Sequence, residues 1–268
     1  MLRQRLIVAN ILIPVVVTLI AIGGWAYNLL ILVFLGIGAF EFWRLFRTGG
    51  FSPSLALLLA GTLGLGLQRT LAGFSGSDLS ISLLFLVAMS WQVIQYQRGI
   101  STAALDLMIT LGGVLYLGWV GGYLISLRSL PDGLWWVMLI LPVIWLADTG
   151  AYIFGRAWGK HKLCPRVSPN KSWEGYFGGV LFGALSGLAF GFLWGLRAPV
   201  ITPLKGLLFG VVLSALVPLG DLGESMLKRT FGVKDTGRLF WAHGGVLDRI
   251  DSWMFGVVIG YYLVMLFG

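Results

Sequence analysis

One segment of the chain, residues 225–251, concentrates charged side chains between two long apolar runs. Asp248 and Asp251 are three residues apart in it, so on a helix both carboxylates project to one side. Asp221 precedes the segment, at the end of the apolar run before it. Three carboxylates with no soft ligand suit Mg²⁺, which binds hard oxygen donors together with phosphate and water. The pattern predicts a magnesium site at these three residues, with room for a second cation. The alternative is a structural pairing of Asp248 and Asp251 with Arg249 or Lys228 at a helix N-terminus.

Cations and small polar residues of the same segment predict phosphate binding. Lys228 follows Asp221 by about two helical turns, and Arg229 and Lys234 come shortly after it. Ser225 is four residues beyond Asp221, which places it on nearly the same helix face. His243 precedes two glycines that allow close backbone approach to a ligand. We interpret His243 as orienting a phosphate or a metal-bound water, with a hydrogen-bonded structural histidine as the alternative.

A second polar loop, residues 155–174, contains another candidate phosphate site. Lys171 precedes a predicted helix start at Ser172, where free backbone N–H groups and the helix dipole favour an anion. Ser168 can add a hydroxyl donor. The alternative is an ordinary positively charged loop followed by a serine-capped helix.

Asp148 is the one acidic residue well inside a predicted apolar span. A carboxylate at the centre of a bilayer costs roughly 2.5–3.5 kcal/mol, so it is expected to face a polar cavity or a cation. The sequence therefore predicts a functional role in substrate binding for Asp148. The alternative is a side chain that reaches water at the helix end.

The composition shows which elements must position these groups. Of the 268 residues 57% are hydrophobic and 11% are charged, and the mean hydropathy is +0.89. This is typical of an integral membrane protein, and the unbroken apolar runs favour helices over a barrel. The predicted fold is all-α and polytopic, with about nine spans of about 20 residues each. The predicted spans are 5–23, 25–42, 51–68, 79–96, 103–126, 133–154, 175–195, 203–222 and 252–267.

The distribution of Lys and Arg predicts the orientation of these spans. All but four of the 19 basic residues fall on one side, and that side is expected to be cytoplasmic. This puts the N-terminus and both polar loops in the cytoplasm. The net charge of +8 is spread over loops next to the membrane, where lipid headgroups explain it, so no nucleic acid partner is expected. The four exceptions are Arg69, Arg128, Arg197 and Lys205.

The two halves of the chain differ in their acidic residues. Residues 1–130 contain three, Glu41, Asp78 and Asp106, whereas residues 131–268 contain the other eight. We interpret residues 1–130 as a scaffold of about five spans, available for contacts in a homodimer. Residues 131–268 are interpreted as the catalytic membrane domain, with about four spans and the two charged loops.

The second half resembles a known family. One block reads Ser225-x-x-Lys228-Arg229, four residues, Lys234-Asp235, then His243-Gly-Gly, two residues and Asp248-Arg-x-Asp251. This block is similar to the signature of phosphatidate cytidylyltransferases. The segments DTGAYxxGRxxGK, SPxKSxEG and PxGDLxES resemble further family blocks, so the resemblance covers about residues 140–253.

The resemblance implies an enzyme of the cytoplasmic membrane whose active site faces the cytoplasm. Its reaction would be transfer of CMP from CTP to phosphatidate, which gives CDP-diacylglycerol and pyrophosphate and requires Mg²⁺. In this interpretation Asp221, Asp248, Asp251, Lys228 and His243 are the catalytic candidates. The substrate-binding candidates are Asp148, Ser168, Lys171, Ser172, Ser225, Arg229 and Lys234.

Three other functions have similar requirements. A CTP-dependent lipid-alcohol kinase would share the membrane and phosphate features, but the signature block argues against it. A CDP-alcohol phosphotransferase should contain a DGxxAR-like run, which is absent from the sequence. A cation-coupled transporter should place acids inside several helices, whereas these acids cluster at one interface.

Overall fold

A computed structural model describes residues 14–237 and 244–268 of the chain. Residues 14–22 are helical. The elements that follow are α1 (Gly24–Thr48), α2 (Leu55–Ala72), α3 (Ser77–Gln97), α4 (Ala103–Gly113), a π-helical segment (Val114–Val120), α5 (Tyr123–Arg128), α6 (Gly133–Trp158), β1 (Lys162–Cys164), β2 (Ser168–Ser172), α7 (Trp173–Gly195), α8 (Pro203–Leu216), α9 (Pro218–Thr230) and α10 (Leu247–Phe267).

Eight helices of the described residues are long and apolar enough to cross a membrane. They coincide with eight of the predicted spans; Ala103–Arg128 and Pro203–Thr230 each count as one. The all-α polytopic membrane fold is thereby confirmed. The remaining predicted span, 5–23, lies partly outside the described residues. The count of nine and the cytoplasmic N-terminus stay predictions.

The chain divides into two compact units. The first comprises Met1–Ser126 and Thr230–Arg249, and the second comprises Leu127–Arg229 and Ile250–Gly268. One division lies close to the sequence boundary at residue 130. Residues 230–249, however, belong with the N-terminal helices. The roles of scaffold and catalytic domain given to the two halves stay predictions.

Buried polar contacts hold the first unit together across long stretches of sequence. The Tyr27 hydroxyl donates a hydrogen bond to the Leu124 carbonyl at 3.0 Å. The buried Asp106 carboxylate accepts hydrogen bonds from the Ser52 N–H at 2.6 Å and from the Thr102 hydroxyl at 2.7 Å. A buried carboxylate is tolerated only when its oxygens are satisfied in this way. Asp106 therefore fixes the connection between α1 and α2 against the start of α4.

Glycines bring the helices of the second unit together. A Cβ atom on Gly175 of α7 would lie 2.8 Å from the Ala151 carbonyl oxygen of α6. A Cβ on Gly187 of α7 would lie 2.2 Å from the Gly206 carbonyl oxygen of α8. Such close backbone contact is typical of small-residue packing between membrane helices. It sets the polar ends of α6 and α7 side by side.

A β-hairpin occupies the polar segment between α6 and α7, which the sequence analysis interprets as a loop. Its strands β1 and β2 pair antiparallel. Ser172 ends β2 and caps α7, because its hydroxyl oxygen accepts a hydrogen bond from the Gly175 N–H at 3.2 Å. The helix start predicted at Ser172 is confirmed. His161 has an exposed side chain, and its Nδ1 lies 2.6 Å from Glu174 Oε1.

The sidedness of the loops is a prediction that chemical labelling can check. In a Cys164→Ser background, Lys160→Cys and Asp235→Cys should react only with reagents that reach the cytoplasmic side, and Val200→Cys only from the opposite side. The reason is the bias of basic residues toward one set of loops. Labelling of positions 160 and 235 from opposite faces would contradict the nine-span topology.

Candidate active site

The second unit contains an open cavity of about 550 Å³. Residues of α6, both strands, α7, α8 and α9 line it. This volume is typical of small-molecule sites. Its polar and charged lining residues are Asp148, Tyr152, Arg156, Lys162, Asn170, Lys171, Ser172, Ser214, Tyr176 and Asp221.

Lys171 and Asp221, predicted from separate segments of the sequence, meet at this cavity. The Lys171 Nζ lies 2.6 Å from Asp221 Oδ2, and both side chains are about one third exposed. The Ser225 hydroxyl donates a hydrogen bond to Asp221 Oδ1 at 3.2 Å. Asp221 and Ser225 thus share a helix face, as the spacing predicts. An ion pair that remains open to water is available for exchange with a charged ligand.

A second acidic residue, Asp251 of α10, lies close to Asp221. Asp251 is buried, and its Oδ1 accepts a hydrogen bond from the Ser252 N–H at 2.6 Å. Its carboxylate is close enough to Asp221 and Asp148 to be repelled by them, and it is attracted by Lys228. Asp148, in turn, is attracted by Lys171 and repelled by Asp221. Three predicted carboxylates of the second unit therefore form one electrostatic cluster with two lysines.

Lys228 also has a structural partner. Its ammonium group forms an ion pair with Glu224, one helical turn earlier, and the Glu224 side chain is fully buried. An ion pair in such a site holds the lysine in a fixed position, because separating the charges would leave a buried carboxylate uncompensated. The sequence analysis did not assign Glu224 a role. The i,i+4 spacing of Glu224 and Lys228 is the signal that could have predicted the pair.

Close helix packing places Asp221 beside Asp251. Gly220 precedes Asp221, and a Cβ atom there would lie 3.0 Å from the Asp251 carbonyl oxygen and 2.9 Å from the Phe255 ring. Because glycine has no side chain, α9 and α10 approach at this point. The backbone contact brings the two carboxylates to the same region of the second unit.

The donor atoms of this cluster have the chemistry of a magnesium site. Asp148, Asp221 and Asp251 offer only hard oxygen donors, which are the ligands that Mg²⁺ prefers. In the described residues, no group of three or more His, Cys, Asp or Glu side chains has metal-centre geometry as the side chains stand. The Mg²⁺ site at Asp221, Asp248 and Asp251 stays a prediction.

Three other predicted site residues, Ser168, Arg229 and Lys234, do not line the cavity. Ser168 pairs through β2 with β1, and the exposed Arg229 donates from Nε to the Val167 carbonyl at 3.4 Å. Lys234 is exposed in the first unit. His243 lies outside the described residues. The roles given to all four stay predictions.

Asp248 belongs to a hydrogen-bonded cluster in the first unit. Its Oδ2 accepts hydrogen bonds from the Gly245 N–H at 2.7 Å, and from the Thr236 N–H and hydroxyl, both at 3.0 Å. The buried Glu41 of α1 contacts the same segment, since it accepts a hydrogen bond from the Leu247 N–H at 2.8 Å. The sequence analysis placed Glu41 in the scaffold and missed this contact.

Several cavity residues also went unassigned. Tyr152 and Arg156 of α6 are one turn apart, and the Arg156 Nη1 donates to the Tyr152 hydroxyl at 3.1 Å. Lys162 and Asn170 come from the hairpin. The segment that contains Tyr152 and Arg156 was one of the family-like blocks, so that resemblance was the available signal. Lys162 and Asn170 depend on strand pairing, which the sequence did not predict.

Comparison with known proteins shows the family of the chain. Curated proteins named phosphatidate cytidylyltransferase are similar to the chain: one from Staphylococcus epidermidis is 44% identical over 177 residues, and one from Staphylococcus aureus is 40% identical over 179 residues. Each alignment covers 65% of this chain and 66% of the relative, so it spans just under two thirds of the relative's length. The sequence model of the Cytidylyltransferase family matches residues 3–267. The match extends over nearly the whole chain, which therefore belongs to the cytidylyltransferase family.

Proposed function

We propose that this protein is a phosphatidate cytidylyltransferase, which transfers CMP from CTP to phosphatidate and releases pyrophosphate. The observation that carries the proposal is the convergence of Lys171, Asp221 and Asp148 at one cavity among membrane helices. The Asp251 carboxylate is close enough to interact with Asp221 and Asp148. The names of the relatives and the family match support the same reaction.

The reaction joins two anions. An oxygen of the phosphatidate phosphate attacks the α-phosphorus of CTP, a new P–O bond forms there, and the bond from the α-phosphorus to the bridging oxygen breaks to release pyrophosphate. Such a transfer needs no covalent intermediate on the protein. The protein must instead neutralise charge and align the attacking and leaving groups. Cations in a half-open cavity satisfy that requirement.

The basic residues of the cavity supply this neutralisation. Lys171 is held at the cavity by its ion pair with Asp221, and it can turn its ammonium group to a phosphate oxygen. Arg156 and Lys162 add two further cations to the lining. Lys228, fixed by Glu224 and close enough to attract Asp251, is the second lysine that we assign to phosphate binding.

The carboxylates are assigned to the metal. Asp221 and Asp251 would hold Mg²⁺, with Asp248 as the further ligand predicted from the sequence. The bound ion would supply positive charge at the nucleotide phosphates and a template for the two substrates. Asp148 keeps a carboxylate at the cavity wall, where it can orient Lys171.

The lipid substrate suits a site of this kind. A phosphatidate molecule presents its headgroup at the membrane surface, while its acyl chains stay in the hydrocarbon. Near the cavity, α6 and α7 expose large apolar side chains such as Ile153 and Phe177, along which acyl chains can lie. We place the protein in the cytoplasmic membrane, with the cavity open to cytoplasmic CTP, and we retain the homodimer as a prediction.

Pyrophosphate release tests this proposal. Purified protein in detergent should release pyrophosphate only when CTP, phosphatidate and Mg²⁺ are all present. Chelation of the metal should stop the release, and added Mg²⁺ should restore it. Release from CTP without phosphatidate, or undiminished release with excess chelator, would contradict the proposed reaction or its metal requirement respectively.

A further inference from the structure

Glu41 is an acidic residue inside a membrane-spanning helix, and the site in the second unit does not use it. It lies on α1, within the apolar span Gly24–Thr48, and only 4% of its surface is exposed. A buried carboxylate in such a helix is costly unless specific donors satisfy it. The groups that donate hydrogen bonds to Glu41 therefore identify the segment that this carboxylate stabilises.

Those donors come from the start of the last helix. Glu41 Oε2 accepts a hydrogen bond from the Leu247 N–H at 2.8 Å, and the Val246 N–H also donates to the carboxylate. These are free N–H groups of the first turn of α10, where a negative charge is stabilising. Glu41 thus acts as an N-terminal cap for a helix that begins 206 residues later in the chain.

Glycines on both sides of the carboxylate make this contact possible. A Cβ atom on Gly237 would lie 2.0 Å from Glu41 Oε1, and one on Gly245 would lie 2.4 Å from Oε2. Any larger residue at either position would displace the carboxylate. Gly245 is the second glycine of the His243-Gly-Gly motif. Its contact with the Glu41 carboxylate explains why a residue without a side chain is needed there.

The Glu41 contact reaches Asp248 through one shared residue. The Thr236 hydroxyl donates to Asp248 Oδ2 at 3.0 Å and lies 3.5 Å from Glu41 Oε2. Arg44, one turn beyond Glu41, donates from Nη2 to the Thr236 carbonyl at 2.6 Å. Two residues of α1 therefore fix the backbone and side chain that orient Asp248.

We propose that Glu41, assisted by Arg44, is a positioning residue for the cytidylyl-transfer reaction, because it fixes Thr236 and the first turn of α10 and thereby orients Asp248. The inference rests on the proposed function for its catalytic consequence, and on hydrogen bonds within the first unit for its physical basis. It gives the N-terminal helices a part in the reaction beyond that of a membrane scaffold.

Glu41→Gln is the variant that tests this. The amide keeps the size of the side chain, but its NH₂ group opposes one of the two backbone donors. We expect amide hydrogen exchange at residues 244–248 to rise, and turnover to fall, each by about tenfold or more, the factor that corresponds to one charge-assisted hydrogen bond. The apparent Mg²⁺ requirement should also increase, since groups behind a metal ligand commonly change metal affinity by about 10–100-fold. The KM for CTP should change little.

Asp106→Asn is the matched control. Asp106 is a buried carboxylate of the same unit that also accepts a backbone N–H, but it holds the connection before α2. It should leave the exchange of residues 244–248 and the Mg²⁺ requirement unchanged. If Glu41→Gln fails to fold, Arg44→Gln removes the second contact, and we expect the same changes with smaller amplitude.

The outcomes separate this inference from the proposed function. If the wild-type protein shows no turnover that depends on CTP and phosphatidate, the proposed reaction is overturned, and with it the effect of Glu41 on that reaction. The exchange measurement would still decide whether Glu41 holds the start of α10. Unchanged exchange in Glu41→Gln would overturn the positioning contact. Wild-type turnover in Glu41→Gln, or an equal loss of turnover and an equal rise in Mg²⁺ requirement in Asp106→Asn, would overturn the effect of this positioning on the reaction.

Discussion

Replacing Asp221 with Asn should abolish cytidylyl transfer while leaving the protein folded. The variant loses a carboxylate that we assign to Mg²⁺ and that forms the 2.6 Å ion pair with Lys171. A metal ion commonly contributes several kcal/mol of charge stabilisation to a transition state, so we expect turnover to fall by about 100-fold or more. Because the ion pair is about one third exposed, its loss should cost at most about 1 kcal/mol of folding stability. Steady-state turnover and thermal unfolding in detergent measure the two effects.

Asp78→Asn provides a control for Asp221→Asn. Asp78 is an exposed acid in the first turn of α3, in the first unit. Its substitution removes the same charge and should leave turnover within about twofold of wild type, as is usual for exposed positions away from a site. Near-normal turnover of Asp221→Asn at low Mg²⁺ would show that Asp221 is not a metal ligand.

Replacing Lys171 with Gln should reduce kcat/KM for CTP or phosphatidate by about tenfold or more. A charge-assisted hydrogen bond to a phosphate contributes about 1.5–3 kcal/mol, and Gln, although polar, is one atom shorter than lysine and carries no charge. Lys171 lines the cavity and is held there by Asp221. The kinetics should be measured at saturating Mg²⁺, so that metal binding does not enter the comparison. Lys171→Arg, which keeps the positive charge, should recover part of the loss.

Arg98→Gln is the control for the lysine variant. Arg98 is an exposed cation at the C-terminal end of α3, in the first unit. Its substitution tests whether loss of any membrane-proximal positive charge lowers activity. Equal and small effects of Lys171→Gln and Arg98→Gln would mean that Lys171 only contributes to membrane orientation.

The sequence predicted the membrane helices because their signal is local. Hydropathy alone locates spans such as 133–154 and 175–195, and the structure has α6 and α7 over these residues. The start of α7 was also predictable, since a serine cap before an apolar run is a local pattern. The hairpin between α6 and α7 was not, because its strands are short, β2 contains Pro169, and Pro165 lies in the connection between them.

The candidate site was predictable only in part. Asp221 and Lys171 stood out because charged residues are rare in this chain, but their ion pair joins β2 to α9, two elements far apart in the sequence. Glu41 was missed because its partner is 206 residues away and its own sequence context is an ordinary apolar helix. Long-range contacts of this kind leave no periodic signal in one sequence.

The position of the transferred label is the most direct test of the proposed reaction. Protein incubated with phosphatidate, Mg²⁺ and CTP labelled at the α-phosphate should produce labelled lipid, whereas CTP labelled at the γ-phosphate should release all of its label as pyrophosphate. Diacylglycerol in place of phosphatidate should give no labelled lipid from either nucleotide. Transfer of the γ-label to lipid would instead show a lipid kinase, and would contradict the assignment of this site to cytidylyl transfer.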